Sequence, residues 1–165
     1  MSIAKNRLAR ALSALDPVPA ALRNRLTTLL FNSQVRFAGT GGLHFERLTS
    51  EQAIVVIANR RKVQNHIKGV HAAAMALLAE TATGAVFGMN VRDDALPLLK
   101  TLHIDYVRRA QGALTATAIL SAADRARIVA EPRGDIVVPV TVVDESGEEP
   151  IRAQMTWAWV PKQKA

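Results

Sequence analysis

At 165 residues the chain has room for one compact domain with a sizeable core and none for a second of ordinary length. Hydrophobic residues make up 49% of it, yet no apolar run reaches the roughly 18–20 residues of a bilayer-spanning helix, and the start lacks the continuous apolar core of a secretory signal, so a soluble protein in the cytoplasm, with no membrane partner, is expected. The absence of cysteine excludes disulfides, thiol nucleophiles and thiolate metal sites, while 21 Lys and Arg against 14 Asp and Glu give a net charge of +7 that attracts polyanions.

Along the chain, Ile3, Leu8, Leu12 and Leu15, then Leu22, Leu26, Leu29 and Leu30, recur at helical intervals, and Pro17 and Pro19 separate the two helices this predicts over 3–15 and 20–31. The same stretch is rich in Arg and poor in acids, a faint likeness to an organelle transit peptide that the paired-helix reading outweighs. After Gly39-Thr40-Gly41-Gly42, residues 43–48 and 53–59 read as strands joined by a turn at Thr49 to Glu51. Residues 70–89 read as a helix, and Asp93, Asp94 and Pro97 mark a loop. The rest reads as strand. In 102–109, Leu102, Ile104 and Tyr106 share the face expected to be buried, with His103 and Asp105 on the other. Residues 114–120 are expected to pair with that strand across Gln111-Gly112, and 122–131 form a partly helical connection. The stretches 136–143 and 151–160 flank a hairpin signal at Glu145-Ser146-Gly147-Glu148, in which Pro139 demands an edge or a bulge.

Two strands, one long helix and four strands imply an α+β domain with an antiparallel sheet and one helix covering most of it. That helix, VHAAAMALLAETATGAVFGM at 70–89, is apolar nearly all round, as a helix enclosed by sheet or by a partner must be. Its only ionisable residues are His71 and Glu80, and a carboxylate so placed is partly desolvated. Desolvation suits a general base, because it raises the carboxyl pKa toward neutrality; a buried ion pair with an arginine from the sheet explains the residue equally well. Nine residues at about 100° each put His71 and Glu80 on opposite faces, roughly 13 Å apart along the axis. If both serve one site, it is composite, and a symmetric dimer has two.

The segment NHIKGVHAAAMALLAETATG, residues 65–84, resembles the signature of the PaaI-like and YiiD-like hotdog thioesterases and their uncharacterised relatives: an Asn six residues before a His at the helix start, and an acid nine residues after it. Asn65, His71 and Glu80 reproduce both spacings. The resemblance covers about 37–160 and implies a hotdog fold, a long central helix wrapped by a six-stranded antiparallel sheet, as a homodimer or a dimer of dimers. Residues 1–36 are then an N-terminal helical extension and 37–165 the hotdog domain. It further implies acyl-CoA thioesters as substrates, coenzyme A being part of the substrate and no separate cofactor being needed. Glu80 is then base or nucleophile, the Ala72 amide polarises the carbonyl, Asn65 orients water or thioester, and His71 fixes the helix start. The family's His-Gly-Gly is His71-Ala72-Ala73 here, which keeps the backbone donor but adds methyl groups that narrow the channel.

Further substrate contacts are expected from Gly69, Thr81 and Thr83, and phosphate contacts from the clusters Arg60, Arg61 and Lys62, and Arg108 and Arg109, although a solvated basic surface explains any one of these. Scattered cations, 4% aromatics and no recognition module disfavour nucleic acid. His44, His66 and His103 share no ligand spacing, so no metal is expected, and no nucleophile elbow, P-loop or dinucleotide fingerprint occurs. The alternatives to a thioesterase are a hotdog dimer that binds acyl-CoA without turnover and a structural dimer whose Glu80 is an ion-paired core residue.

Overall fold

The computed structural model describes residues 6–163, so the start of the first expected helix, with Ile3, lies outside the described residues. Asn6 caps α1 (Arg7–Ser13): its Oδ1 accepts from the Ala9 amide at 2.8 Å, and its Nδ2 donates to the carbonyls of Gly88 and Val91 at 2.7 and 2.6 Å. Next comes α2 (Ala20–Gln34), held to the sheet by the Thr28 hydroxyl, which accepts from the Phe45 amide at 2.9 Å, and by Phe31 against Phe45 with ring centroids 4.6 Å apart. A short helix, α3 (Arg36–Gly41), occupies the glycine-rich stretch and ends on Gly42 at φ 72°, the left-handed region that glycine adopts freely.

β1 (His44–Leu48) and β2 (Gln52–Ile57) form the expected antiparallel pair, with a bulge between Phe45 and Arg47. The central helix is α4 (Ala72–Gly88), followed by β3 (Ala95–Tyr106), β4 (Leu114–Ile119), α5 (Ala122–Ala130), β5 (Gly134–Val138), β6 (Val140–Asp144) and β7 (Ile151–Pro161). Two antiparallel sheets result, ordered β1-β2-β4-β6 and β3-β7-β5, and α4 packs against strands of both.

Seven strands stand where six were expected, and the extra one comes from Pro139. It cannot donate to a ladder, and the run 134–144 breaks there: β5 pairs with β7 in one sheet and β6 with β4 in the other. The expected hairpin of 136–143 with 151–160 is therefore realised only by its first half. The pairing of 114–120 with 102–109 does not form either; β4 lies between β2 and β6, and β3 pairs with β7. The buried Asp144 carboxylate accounts for this, because it accepts from the Gln111 amide at 2.8 Å and draws the segment after β3 to the end of β6. β3 also begins seven residues earlier than expected, through the supposed loop at Asp93 to Pro97. As an edge strand it tolerates Pro97, and its side chains show no in-out alternation: Leu96, Leu98, Leu99, Leu102 and Tyr106 are all 36–50% exposed.

The core lies between α4 and the sheets. Leu78, Ala79, Ala82, Val86 and Phe87 of α4 are fully buried, and the rings of Trp157 and Trp159 lie 5.7 and 6.2 Å from Phe87. Trp157 approaches the helix at Gly84 so closely that a Cβ there would lie 2.6 Å from its ring. Gly84→Ala should therefore destabilise by about 1–3 kcal/mol through overpacking, despite the higher helix propensity of alanine; denaturant titration checks it, and an unchanged or raised stability would show that the ring yields.

Candidate active site

The loop before α4 is built around Asn65. Its Oδ1 accepts from the amides of Ile67 and Gly69, both at 3.1 Å, while its own amide donates to the Gly69 carbonyl at 2.9 Å. Gly69 is buried inside this turn, and Lys68 takes a positive φ of 62° to close it. Arg109 donates to the Ile67 carbonyl at 2.9 Å and Asn59 to that of Lys68 at 3.1 Å, so the loop is held from two sides. Asn65 is thereby a loop organiser whose Nδ2 has no partner among the described residues.

The loop delivers the chain to His71, whose amide donates to the Val63 carbonyl at 2.8 Å and whose extended backbone (φ −64°, ψ 143°) makes it the N-cap of α4. His71 Nδ1 accepts from the Ala73 amide at 3.0 Å, which puts the ring proton on Nε2. It is an exposed capping histidine. Ala72, the first helical residue, is exposed too, and its amide donates to no group among the described residues; the helix dipole adds positive potential there. Tyr106 donates its hydroxyl to the Ala72 carbonyl at 2.9 Å and ties the end of β3 to the helix start. Sequence reasoning placed Tyr106 on a buried strand face and missed this positioning role, for which a lone tyrosine gives no signal.

Glu80 sits half-buried in the middle of α4. Burial pushes its carboxyl above the usual range, and a long 3.4 Å hydrogen bond from the Thr81 hydroxyl offsets this only in part. No ion pair reaches it among the described residues, so the expected alternative of an arginine from the sheet is not realised within the subunit. Thr81 borders Glu80 but is 2% exposed, and Thr83 is fully buried, its hydroxyl donating toward the carbonyls of Ala79 and Glu80 and accepting from Trp157 Nε1 at 2.9 Å. Thr83 thus supports the backbone under Glu80 and lines no open space.

Asn65, His71, Ala72 and Gly69 are brought together at the N-terminal end of α4, and Glu80 is not among them: within one chain it lies two and a half turns along the helix. The cations divide similarly. Arg60, Arg61 and Lys62 are exposed and free of acids just before the Asn65 loop. Arg108 instead pairs at 2.9 Å with Asp144, whose side chain has no exposed surface. Burial pushes that carboxyl up, but hydrogen bonds from Ser146, the Gln111 amide and Arg108 outweigh it and hold its pKa at about 2. A shallow cavity of about 400 Å³ lies beside the loop, lined by Asn59, Lys68, Gly69 and residues 109–112. No group of three or more His, Asp or Glu side chains among the described residues is arranged to hold a metal, and no described helix is long and apolar enough to cross a membrane.

With this geometry in place, comparison with known proteins gives a family. The domain of unknown function DUF4442 matches residues 23–160. The chain belongs to the DUF4442 family. No curated protein matches it. Among solved structures it resembles a Pseudomonas aeruginosa protein of unknown function described as a probable thioesterase (22% identity, TM-score 0.75, covering 84% of this chain and 95% of that one). It also resembles a mutant thioesterase from the same organism (16%, TM-score 0.67, 82% and 94%) and a Haemophilus influenzae thioesterase (11%, TM-score 0.63, 78% and 85%). This DUF4442 chain therefore has the fold of the thioesterase-like hotdog proteins, the superfamily its 65–84 motif resembles.

The Glu80 environment carries a stability consequence. A carboxyl whose folded pKa lies above its unfolded value costs nothing below the unfolded pKa and destabilises increasingly as pH rises through the folded one. Glu80→Gln should therefore match the parent near pH 4 and melt higher at pH 8, by about 2–4 °C for each 1 kcal/mol relieved. Thermal melts at the two pH values test this; a lower midpoint at pH 8 would mean that Glu80 is structurally paired in the assembled protein.

Proposed function

We propose that this DUF4442 protein is an acyl-CoA thioester hydrolase that works as a homodimer with two composite sites. The observation that carries the reading is a pair of unspent groups on one helix: the partnerless Ala72 amide at its N-terminus and the half-buried, unpaired carboxylate of Glu80. One chain holds them apart, and a symmetric partner supplies the complement. The open edge of β3 suits such a partner, since it presents a long unpaired backbone with Leu96, Leu98, Leu99 and Leu102 exposed, which a second β3 would extend into a continuous sheet.

In this reading the thioester carbonyl accepts from the Ala72 amide, whose N–H and helix dipole stabilise the tetrahedral oxyanion. Glu80 of the partner subunit takes a proton from water as the water oxygen attacks the carbonyl carbon, and when the C–S bond breaks it returns that proton to the departing sulfur, so that coenzyme A leaves as the thiol and the acyl group as the carboxylic acid. The direct variant has the carboxylate attack and form an anhydride that water opens. Asn65 Nδ2, without a partner among the described residues, orients water or thioester in this reading, and Arg60, Arg61 and Lys62 form the exposed cluster suited to the nucleotide phosphates. The probable thioesterase and the thioesterases of the same fold support the reaction class.

Two substitutions test it with short, long and aromatic acyl-CoAs. Glu80→Gln should lower kcat by about 10²–10⁴-fold. Ala72→Pro deletes only the N–H, since proline is favoured at the first helical position and His71 already has the extended backbone a following proline requires; it should cost about 10²–10³-fold with the fold intact. Parental turnover in Glu80→Gln would overturn the mechanism. Saturable acyl-CoA binding without thiol release would make the protein a binding module, the role the Ala72 and Ala73 methyl groups would favour by narrowing the channel.

A further inference from the structure

A cleft of about 880 Å³ lies beyond the other end of α4 and does not include Glu80. Its walls are α1, the first half of α2, the bulged part of β1 and Asn90, just past the end of α4. The volume falls within the range of small-molecule sites.

The first half of α2 turns a polar stripe toward this space. Ala20, Arg23, Asn24 and Thr27 all line the cleft and follow the spacing i, i+3, i+4, i+7, so one helical stripe faces it. The stripe is mostly polar, whereas Leu22 and Leu29 on other faces are 50% and 67% exposed, the reverse of a helix packed on a core. Two largely buried residues that line the cleft each keep a polar side-chain atom without a hydrogen-bond partner among the described residues. Thr27 is 7% exposed and its hydroxyl has no partner among the described residues. Asn90 is 6% exposed; its Nδ2 donates to the carbonyls of Ser50 and Val86, both at 2.8 Å, which fixes the amide orientation and leaves Oδ1 accepting from nothing described.

Positive potential converges on the same space. α2 begins after Pro19 with no side-chain cap, so its first amides and the positive end of its dipole are unspent where Ala20 meets the cleft. Arg23 and Arg47 pair with no acid among the described residues, and Arg125 has a buried Nε without a partner, although its Nη2 reaches Glu51 at 3.0 Å. The β1 bulge aims the consecutive residues Glu46 and Arg47 at one side, which a regular strand would not do. Glu46, Arg47 and Asp16 are exposed lining residues, so both acceptors and a cation stand at the rim.

We propose that this cleft is a second ligand site, independent of the Glu80 reading, for a small polar molecule with an oxyanion head and a hydroxyl-bearing body. Arg23, Arg47 and the α2 N-terminus hold the head, and the ligand hydroxyls pair with the Thr27 hydroxyl and donate to Asn90 Oδ1, Asp16 and Glu46. Net lining charge is kept low by the two acids, which selects against bare polyanions.

Isothermal titration of the full chain with glucose 6-phosphate, gluconate and inorganic phosphate tests this, the first two sharing a polyol body and differing in the head. One of the two polyols should bind, one molecule per chain and at least tenfold more tightly than phosphate. Arg23→Ala should weaken it at least tenfold and Glu80→Gln should leave it unchanged. Thr27→Val keeps the side-chain shape and breaks no described hydrogen bond, so it should leave the melting temperature alone and weaken binding several-fold, which keeps the test open if Arg23→Ala misfolds. Absence of binding by all three probes, or parental affinity in both Arg23→Ala and Thr27→Val, would overturn the site.

Discussion

α4 has no polar face, and most of the architecture answers that constraint. A helix whose Leu78, Ala79, Ala82, Val86 and Phe87 must all be dry cannot lie on one flat sheet with its back to water, so strands of two sheets close on it. The alanines let those strands approach. At Gly84 the approach is closest, and Trp157 both fills the space over the helix and donates to the Thr83 hydroxyl. That hydroxyl in turn donates toward the Ala79 and Glu80 carbonyls, so the turn bearing the single mid-helix carboxylate is clamped from the sheet. Glu80 is half-buried because the structure holds it so, at the cost of a carboxyl shifted toward its neutral form.

The two ends of the same helix are treated in opposite ways. At the start, His71 spends its ring nitrogen on the Ala73 amide and leaves that of Ala72 unsatisfied, in a loop stiffened by Asn65, Gly69 and Arg109. At the finish, Asn6 donates to the Gly88 carbonyl and so pins α1 against the helix end. A free donor at one end suits chemistry at a carbonyl oxygen; an end satisfied by a distant segment suits construction. The N-terminal helices anchored there line the cleft and also pack on the core, Ala9 and Leu12 against Met89 and Phe31 against Phe45.

What the sequence disclosed and what it hid follow from the range of the interactions involved. The strands β1 and β2, the helix α4 and the isolation of Glu80 in an apolar run are local patterns, and they were legible. The Asn65, His71 and Glu80 spacings were legible too, as was the hotdog resemblance that the fold bears out. Pro139 announced a disturbance in the strand, but whether it would bulge the ladder or divide the chain between two sheets depended on β4 and β7, both distant in sequence. The start of β3 was masked because an edge strand with both faces open loses its alternation, and turn-forming Asp93, Asp94 and Pro97 then dominate. Thr83 and Arg108 read as site residues since nothing local shows that Trp157 and Asp144 engage them. The inward polar stripe of α2 was invisible for the same reason: leucines at helical spacing suggest a buried face, and Leu22 and Leu29 point outward.

Charge illustrates how far composition can be carried. A net +7 suggested phosphate recognition by scattered arginines, yet much of that charge is structural. Arg108 offsets a carboxylate that could not otherwise be buried, Arg109 holds a loop carbonyl, and Arg127 of α5 pairs at 3.0 Å with Glu131, the residue after that helix. Among the described cations that pair with no acid, Arg60, Arg61 and Lys62 stand together before the Asn65 loop and Arg23 and Arg47 share the cleft, whereas Arg25, Arg36, Arg133 and Arg152 are scattered over the surface. Exposed pairs contribute little to stability, whereas unpaired cations beside unsatisfied hydrogen-bonding groups retain the potential that binds anions. The basic excess is therefore best read by subtraction, residue by residue, and only those unpaired cations that lie beside unsatisfied hydrogen-bonding groups point to a site.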